Sequence, residues 1–359
     1  MNQYDMQDDV TRRKIFWLLQ RLTSLSLWKA KHSAFKVFAT AYETAVKTWP
    51  STDPEALDAD HLTTIYEILS HYDKGLDELA HGRRFVWRKG EALEQVVNRF
   101  NYLVDYFHRD PKYWERGSQI QSYPPKVDSL ARLMHASQVQ KEFAPLEVWG
   151  TDYNFAYLQV PNGLLDRHAY NHTFYELAYP IFPEVLPNVP NPSGPVIRSG
   201  QPVPCDGIWE PVTIEQSRVL GVIPLGAKLF GNNGCFNYFV ADTVAPNFEG
   251  YDSATFSSTI VPTHWRLLWE DTRYANGVIP DESQYFLDAS NPAEPVNPVP
   301  VEPVRTSDIC PVSGEWGTDE YGGKTVHVEQ GASMPDLLVK DNLGERKVHW
   351  VTWHLIKRT

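Results

Sequence analysis

One pattern of residues occurs twice in the C-terminal half of the chain, and this repetition limits the possible folds more than any other feature. Each copy contains, in the same order, a Cys, a Gly-x-Trp, a Gly-to-Pro turn and a His-Trp pair. The first copy has them at Cys205, Trp209, 221–224 and His264-Trp265, and the second at Cys310, Trp316, 331–335 and His349-Trp350. Tandem copies of one pattern indicate duplication of a small module.

The two copies are predicted to be small β modules. Apolar and polar residues alternate at 324–329, which is typical of a strand. We expect Trp209 to match Trp316, and Trp265 to match Trp350. All four rings should be buried in module cores, because a large ring removes much apolar area from water. An insertion is expected in the first copy, between its Pro and its His-Trp pair. Exposed rings would instead favour platforms for a ligand.

The N-terminal part has the 3-4 spacing of apolar residues that predicts amphipathic helices. Two such stripes lie within 11–49, on either side of a break near 24–28. Three more follow, and the last is expected over 127–143, before Pro145. Five helices joined by loops of moderate length predict a helical bundle.

The predicted fold class is therefore α+β, with an N-terminal α-helical bundle followed by a mainly β region of two related modules. Proline tracts, which favour a stiff and extended chain, separate the parts. The expected divisions are a helical domain at 1–146, an aromatic and Pro-rich connector at 147–204, a first β module with an insertion and a trailing helix at 205–290, a Pro-rich linker at 291–305 and a second β module at 306–359.

The net charge of −12 is unevenly distributed. Residues 1–150 hold 20 acidic and 20 basic side chains, whereas residues 151–359 hold 25 acidic and 13 basic ones. An acidic surface repels phosphate backbones and attracts basic partners, so direct binding of nucleic acid is not expected. Excess acid also keeps a protein soluble, and charge alone does not separate that role from docking a partner.

Cysteine content and hydropathy indicate the compartment. The cysteines Cys205, Cys235 and Cys310 lack the Cys-x-x-Cys spacing of zinc sites and are too few for a disulfide scaffold, which favours a reducing compartment. The polar, acidic start differs from a secretory signal, and no apolar run reaches the roughly 18 residues of a membrane span. We therefore expect a cytoplasmic protein without membrane contact.

Signatures of catalysis and of cofactor binding are scarce. The phosphate loop, the dinucleotide fingerprint, the nucleophile elbow and the zinc-protease motif are absent from the sequence. His168 and His172 are four residues apart, but their segment lacks helical periodicity, so hydrogen bonding is favoured over a metal site. His264 and His349 are expected to pack or cap strands. We expect no enzyme activity, no cofactor and no metal.

Three features together carry a family resemblance. They are the helical N-terminal region, the stretch 265–286 with its Trp-Glu-Asp-Thr-Arg-Tyr core, and the segments 310–316 and 331–335 before a terminal Trp strand. With them the chain resembles the immunity proteins of bacterial polymorphic toxin systems, above all those encoded beside type VI secretion effectors. The resemblance implies a protein that binds and neutralises a cognate toxin and has no catalytic residues.

The acidic half suits a basic toxin, and we expect a nuclease, whose substrate groove must attract phosphates. Candidate toxin-binding residues are paired carboxylates beside turns, and surface salt bridging is their alternative role. These residues are Glu270, Asp271, Asp281 and Glu282 after the first module, and Asp319 and Glu320 in the second. Two other functions remain open: a carbohydrate- or ligand-binding protein with Trp platforms, and a chaperone or adaptor for an effector.

The expected domain division predicts where a protease cuts. Limited proteolysis should cleave first within 180–204 or 291–305, because helical periodicity stops at Pro145 and proline tracts follow. Mass spectrometry of the early fragments locates the cuts. Early cleavage within 90–108, with both tracts protected, would contradict the boundary.

Overall fold

Helices occupy the N-terminal part of the chain and sheets the C-terminal part, which confirms the predicted α+β class. The structure is a computed structural model. It describes residues 4–53, 56–57, 59–107, 125–137, 156, 158–170, 179–192, 194–215, 218–219, 223–224, 229–252, 257–286, 302–322, 324–340 and 346–358.

The helices of the described residues follow the predicted apolar stripes. Helix α1 begins where the Asp8 carboxylate accepts a hydrogen bond from the Thr11 N–H at 2.9 Å, an N-cap. The predicted break near 24–28 lies at the start of the second helix. The predicted fifth helix extends beyond residue 137 into residues that the structure does not describe. The helices are α1 (Asp9–Leu22), α2 (Leu25–Thr48), α3 (Asp60–Ala80), α4 (Ala92–Phe107), α5 (Pro125–Ala136) and the short α6 (Asn162–Leu165).

The first copy of the repeated pattern forms an antiparallel sheet and separate hairpins. In the sheet, β9 lies between β1 and β2, and β2 also pairs with β5 and β6. Strands β3 and β4 form one hairpin, and β7 and β8 form another. The strands are β1 (Val196–Arg198), β2 (Gly207–Glu215), β3 (Arg218–Val219), β4 (Ile223–Pro224), β5 (Leu229–Asn232), β6 (Asn237–Phe239), β7 (Phe248–Asp252), β8 (Ser257–Val261) and β9 (His264–Glu270).

The second copy has the same topology with shorter connections. Its sheet has the order β10-β15-β11-β12, and β13 and β14 form a hairpin. The strands are β10 (Val304–Arg305), β11 (Gly314–Thr318), β12 (Lys324–Val328), β13 (Leu337–Lys340), β14 (Arg346–His349) and β15 (Thr352–Arg358).

Strand registers of the two copies correspond pair by pair, which supports duplication of one module. Such agreement is expected when two copies keep one hydrophobic pattern, because a shift by one residue would turn every side chain to the other face. The corresponding pairs are Ile197–Trp265 and Val304–Trp353 at the sheet edge, Gly207–Phe239 and Gly314–Val328 within the sheet, and Phe248–Val261 and Leu337–His349 in the hairpin.

The expected match between Trp265 and Trp350 is wrong. The indole N–H of Trp265 donates to the carbonyl of Pro246 at 2.9 Å, and that of Trp353 donates to the carbonyl of Pro335 at 3.1 Å. Trp353 therefore occupies the position of Trp265, whereas Trp350 is 46% exposed. Trp350 lies between β14 and β15, whereas Trp353 lies in β15 and pairs with Val304, as Trp265 pairs with Ile197.

The expected match between Cys205 and Cys310 is also wrong. The N–H of Cys310 donates to the carbonyl of Ala332 at 2.7 Å. In the first module, the N–H of Val203 donates to the carbonyl of Thr243 at 2.8 Å. Val203 therefore takes the place of Cys310 in the first module. Both side chains are buried, so the position requires a small apolar group rather than a thiol.

The insertion in the first module lies earlier than expected. Strand β6 pairs with β2 as β12 pairs with β11, but the chain between β2 and β6 also forms β3, β4 and β5. The turn at 221–224 belongs to this excursion. The counterpart of 331–335 is therefore 242–246. The N–H of Asp242 donates to the carbonyl of Val203, as the N–H of Gly331 donates to the carbonyl of Cys310.

Each module has its own core, and seven residues of one core are equivalent to seven of the other. Burial of each large apolar side chain stabilises a module by about 1.5–3 kcal/mol, so the two Trp rings are major terms in each core. The first core contains Ile197, Val203, Trp209, Phe239, Ala245, Phe248 and Trp265, which match in order Val304, Cys310, Trp316, Val328, Met334, Leu337 and Trp353.

The chain divides into two compact units. One comprises Met1–Ala39, Asp60–Tyr106 and His135–Ala289, and therefore holds the first β module together with most of the helical region. The other comprises Thr40–Ala59, Phe107–Met134 and Ser290–Thr359, with the second β module. Independent folding of residues 1–146 stays a prediction.

Replacing Trp350 and Trp353 one at a time tests which of the two rings belongs to the core of the second module. Trp353→Ala should lower the free energy of unfolding by about 3–5 kcal/mol, because it leaves a cavity and removes the indole hydrogen bond to the Pro335 carbonyl. Trp350→Ala should lower it clearly less, because Trp350 is already 46% exposed whereas Trp353 is fully buried. Urea unfolding followed by circular dichroism measures both. Equal losses would contradict the assignment of Trp353 to the core.

Candidate functional site

The described residues offer little for chemistry. Among them, no group of three or more His, Cys, Asp or Glu side chains is placed to hold a metal ion. No helix there has both the length and the apolar sequence that crossing a bilayer requires. Two other features remain as candidates for function. One is a buried network of charges after β9, and the other is an exposed surface on the second module.

Asp271 is the centre of the buried network. Its side chain and that of Arg84 are fully buried, and Arg84 donates to it at 3.0 Å. Arg273 donates to the same carboxylate through both Nε and Nη2, at 2.8 and 2.7 Å. The hydroxyl of Tyr238 donates at 2.8 Å. The carboxylate thus accepts from three side chains, which compensates for its removal from water.

The two arginines also bind the end of α1. The carbonyls of its last turn lack partners within the helix. Arg84 donates to the Thr23 carbonyl at 3.0 Å, and Arg273 donates to the Gln20 carbonyl at 2.8 Å. Positive charge at this end complements the negative pole of the helix dipole.

The start of α2 is held by the same segment of chain. The N–H of Leu25 donates to the Tyr274 hydroxyl at 2.9 Å, and the N–H of Ser26 donates to Glu282 at 2.8 Å. The Tyr274 hydroxyl in turn donates to Glu282. Negative charge is favourable at a helix start, so the segment after β9 matches both helix ends at the break.

Electrostatics of the network favour ionised Asp271. Burial acts to raise its pKa, but Arg273 and Arg84 outweigh burial and hold the pKa below its ordinary value of 3.8. Burial raises the pKa of the neighbouring Asp206. It also raises the pKa of Tyr238 well above its ordinary value, and Asp271 adds to this effect, so the phenol remains a hydrogen-bond donor.

The structure divides the predicted acidic patch after the first module. Asp271 and Glu282 are buried and bind groups of their own chain, so neither is a surface carboxylate. Glu270 and Asp281 are exposed. Asp281 accepts a hydrogen bond from the N–H of Ser283, which lowers its pKa. A role of Glu270 and Asp281 in toxin binding stays a prediction.

The predicted patch of the second module is exposed at both residues. Asp319 lines a groove of about 500 Å³, together with Lys324 and His354. Glu320 accepts a hydrogen bond from the N–H of Thr352 at 2.8 Å. Tyr321 follows and is 57% exposed. The structure therefore adds an aromatic side chain to this acidic pair.

The remaining candidates are structural in the described residues. Cys235 and Cys310 are buried, and burial raises the pKa of Cys205 to about 11, so none resembles an activated nucleophile. His349 packs against the ring of Tyr321, with centroids 4.1 Å apart. His172 lies outside the described residues.

Sequence reasoning missed several residues of these two features, among them Arg84, Tyr238 and the exposed Tyr321. Arg84 and Tyr238 are far in sequence from Asp271, and only the charge of Arg84 beside the apolar run Phe-Val-Trp could have indicated a buried partner. Trp350 was assigned to the core because it follows a His as Trp265 does, but it lies outside β15, which carries the buried Trp353.

Comparison with known proteins gave two family matches. The family described as Immunity protein 71 matches residues 6–135, and the family described as Immunity protein 72 matches residues 188–287. The first covers the described helices α1 to α4 and nearly all of α5, and the second covers the first β module with the segment that binds the helix break. No curated protein and no solved structure gave a match.

Neutralising the central carboxylate should destabilise the fold. Asp271→Asn should lower the free energy of unfolding by about 3–5 kcal/mol at neutral pH, because two buried guanidinium groups lose their counter-ion. Asp281→Asn, an exposed control, should change it by less than about 0.5 kcal/mol. Chemical denaturation of the three proteins gives the comparison, and equal stabilities would contradict the structural role of Asp271.

The lowered pKa of Asp271 predicts that the stability of the protein depends on pH. The folded-state pKa of Asp271 lies below its ordinary 3.8, so the unfolded chain takes up this proton more readily than the folded chain. The stabilisation is therefore complete above about pH 4 and is lost as the pH falls below it. The stability difference between wild type and Asp271→Asn should shrink in that range.

Proposed function

We propose that this chain, an immunity protein of a polymorphic toxin system by its two family matches, binds its cognate toxin and neutralises it. In this proposal the toxin is a basic nuclease delivered by type VI secretion, and the complex forms in the cytoplasm. The protein acts as a stoichiometric binding partner and needs no catalytic group of its own. The charge of the chain is the observation that carries the finer part of the proposal.

The acidic excess is concentrated around the first module. Residues 151–300 contain 16 acidic and 6 basic side chains, whereas residues 301–359 contain 9 and 7. Some of the acids are used inside the protein, as Glu210 is by Arg12 and Arg266. Glu215, Glu249, Glu270 and Asp281 are exposed. This part of the chain therefore presents more negative than positive charge to a partner.

A nuclease suits such a surface because it must attract phosphates. Its substrate groove carries positive charge, and an acidic protein that covers the groove replaces the nucleic acid. Complementary charge also accelerates association, up to about 10⁸–10⁹ M⁻¹s⁻¹ at low salt. Charges at the rim of an interface contribute little affinity, however, so tight neutralisation also requires aromatic or Arg anchors at its centre.

Burial of the Trp rings in the repeated pattern weighs against the alternative of a Trp platform. Trp209, Trp265 and Trp316 are fully buried, so three of the four rings considered for a ligand platform are inaccessible. An adaptor that holds an effector without blocking it is distinguished by the activity of the toxin in the complex.

Charge reversal tests the electrostatic part of the proposal. In the double variant Glu270→Lys/Asp319→Lys, one carboxylate of each predicted patch changes sign, so association with the toxin encoded next to this gene should slow by about tenfold at low salt. The dependence of the rate on salt should flatten, because salt screens exposed charges. Stopped-flow mixing at low and high ionic strength measures both effects.

A matched control changes the net charge of the protein by the same amount as the first double variant. Asp73 and Asp77 are exposed on α3, in the electrically neutral half of the chain. The double variant Asp73→Lys/Asp77→Lys should associate within about twofold of the wild-type rate. If both double variants slow association equally, net charge matters and the predicted patches do not. If neither slows it, the acidic mechanism is wrong.

A further inference from the structure

An aromatic pair and two carboxylates lie together on the surface of the second module. We call Asp319, Glu320, Tyr321, His349 and Trp350 the aromatic-acidic cluster. Glu320 accepts from the N–H of Thr352, which fixes the loop that carries it beside the start of β15. Tyr321 packs on His349 with ring centroids 4.1 Å apart, and Trp350 is the next residue. The cluster is thus assembled from two segments of chain.

Both aromatic side chains are exposed. Tyr321 is 57% exposed and Trp350 is 46% exposed, although Tyr and Trp normally bury most of their area in a folded protein. The hairpin residues Leu338 and Val348, which lie opposite each other, are also about half exposed, so this module has further exposed apolar side chains. Such surface is common where a protein binds another one.

The backbone of Tyr321 is strained. Its φ of 50° and ψ of 39° are left-handed, a conformation that non-glycine residues adopt rarely and at a cost. Tyr274 has a similar φ of 67°, but its ring is buried and its hydroxyl binds the start of α2, which offsets the strain. Burial does not offset the strain of Tyr321, and strained exposed residues often belong to functional sites.

The fold of the module does not require this cluster. Val261 and Pro262 of the first module occupy the positions of His349 and Trp350, because the registers of the two hairpins correspond. In the first module, the excursion through β3, β4 and β5 replaces the short connection that carries Tyr321. Two copies of one fold therefore differ at this place, and the difference concerns exposed side chains.

We infer that the aromatic-acidic cluster binds a cationic side chain, Arg or Lys, of the cognate toxin and anchors the complex. This inference rests on the proposed function and names the contact that acidic rims alone cannot supply. Aromatic faces attract a guanidinium or ammonium group, and Arg stacks on them especially well. Glu320, which precedes Tyr321, and the neighbouring Asp319 supply opposite charge on the loop that carries the Tyr321 ring. Trp, Tyr and Arg dominate the central contacts of protein interfaces.

The test measures the affinity of single variants for the toxin domain encoded by the reading frame next to this gene. Trp350→Ala and Tyr321→Gly should each raise the dissociation constant at least about tenfold, as loss of a central contact does. Tyr321→Gly also removes the left-handed strain, so its melting temperature should not fall. A binding loss in a protein of undiminished stability separates contact from folding.

The matched control is Tyr102→Ala on α4, because Tyr102 is 58% exposed, nearly as much as Tyr321. Its dissociation constant should stay within about twofold of wild type. The neutral double variant Asp319→Asn/Glu320→Gln should weaken binding and reduce its dependence on salt.

The possible outcomes distinguish the inference from the function on which it rests. If the wild-type protein binds the toxin and Trp350→Ala and Tyr321→Gly bind it equally well, the role of the cluster is wrong and the proposed function stands. A wild-type protein that does not bind the toxin would overturn both. If ultracentrifugation shows a wild-type dimer that Trp350→Ala dissociates, the cluster binds a second copy and the inference is wrong.

Discussion

The interaction between Asp271 and two arginines sets the arrangement of the larger compact unit. Arg84 and Arg273 share one buried carboxylate and use their remaining N–H groups to bind carbonyls at the end of α1. A buried charge is tolerated only when it is paired and hydrogen-bonded, so these groups fix one another's positions. The segment after β9 must therefore lie against the break between α1 and α2. This physical requirement explains why Asp, Arg and Tyr occur so close together at 271–274.

Duplication gave the chain two modules with equivalent cores and different surfaces. In the first, the chain after β9 continues into the helix-binding segment, and residues 151–300, which include this module, contain 16 acidic and 6 basic side chains. In the second, the hairpin and the connection after β11 carry exposed aromatic rings. Core positions can retain their volume and pattern while surface positions diverge, because stability depends far more on the former. A tandem repeat can thus keep one fold and use only one copy for a given contact.

Local patterns predicted the elements, and long-range partners decided the roles of charged residues. Apolar spacing correctly indicated α1 to α4, and the break before Leu25 was visible because the stripe was interrupted there. Asp271 and Glu282 were taken for surface carboxylates because they lie beside turns. Their partners Arg84 and Ser26 are 187 and 256 residues away, and no local pattern reveals such pairing. Trp353 was missed for another reason: the His-Trp pair of the second copy was matched to that of the first, whereas the strand pairing matches Trp265 with Trp353.

Activity of the toxin in the presence of this protein tests the central claim most directly. The cognate toxin, held at a concentration far above the dissociation constant, is titrated with the wild-type protein, and its remaining catalytic activity is measured at each ratio. Neutralisation by tight binding predicts a linear loss of activity that ends at a fixed stoichiometric ratio. A toxin that stays fully active when it is saturated with this protein would contradict the account.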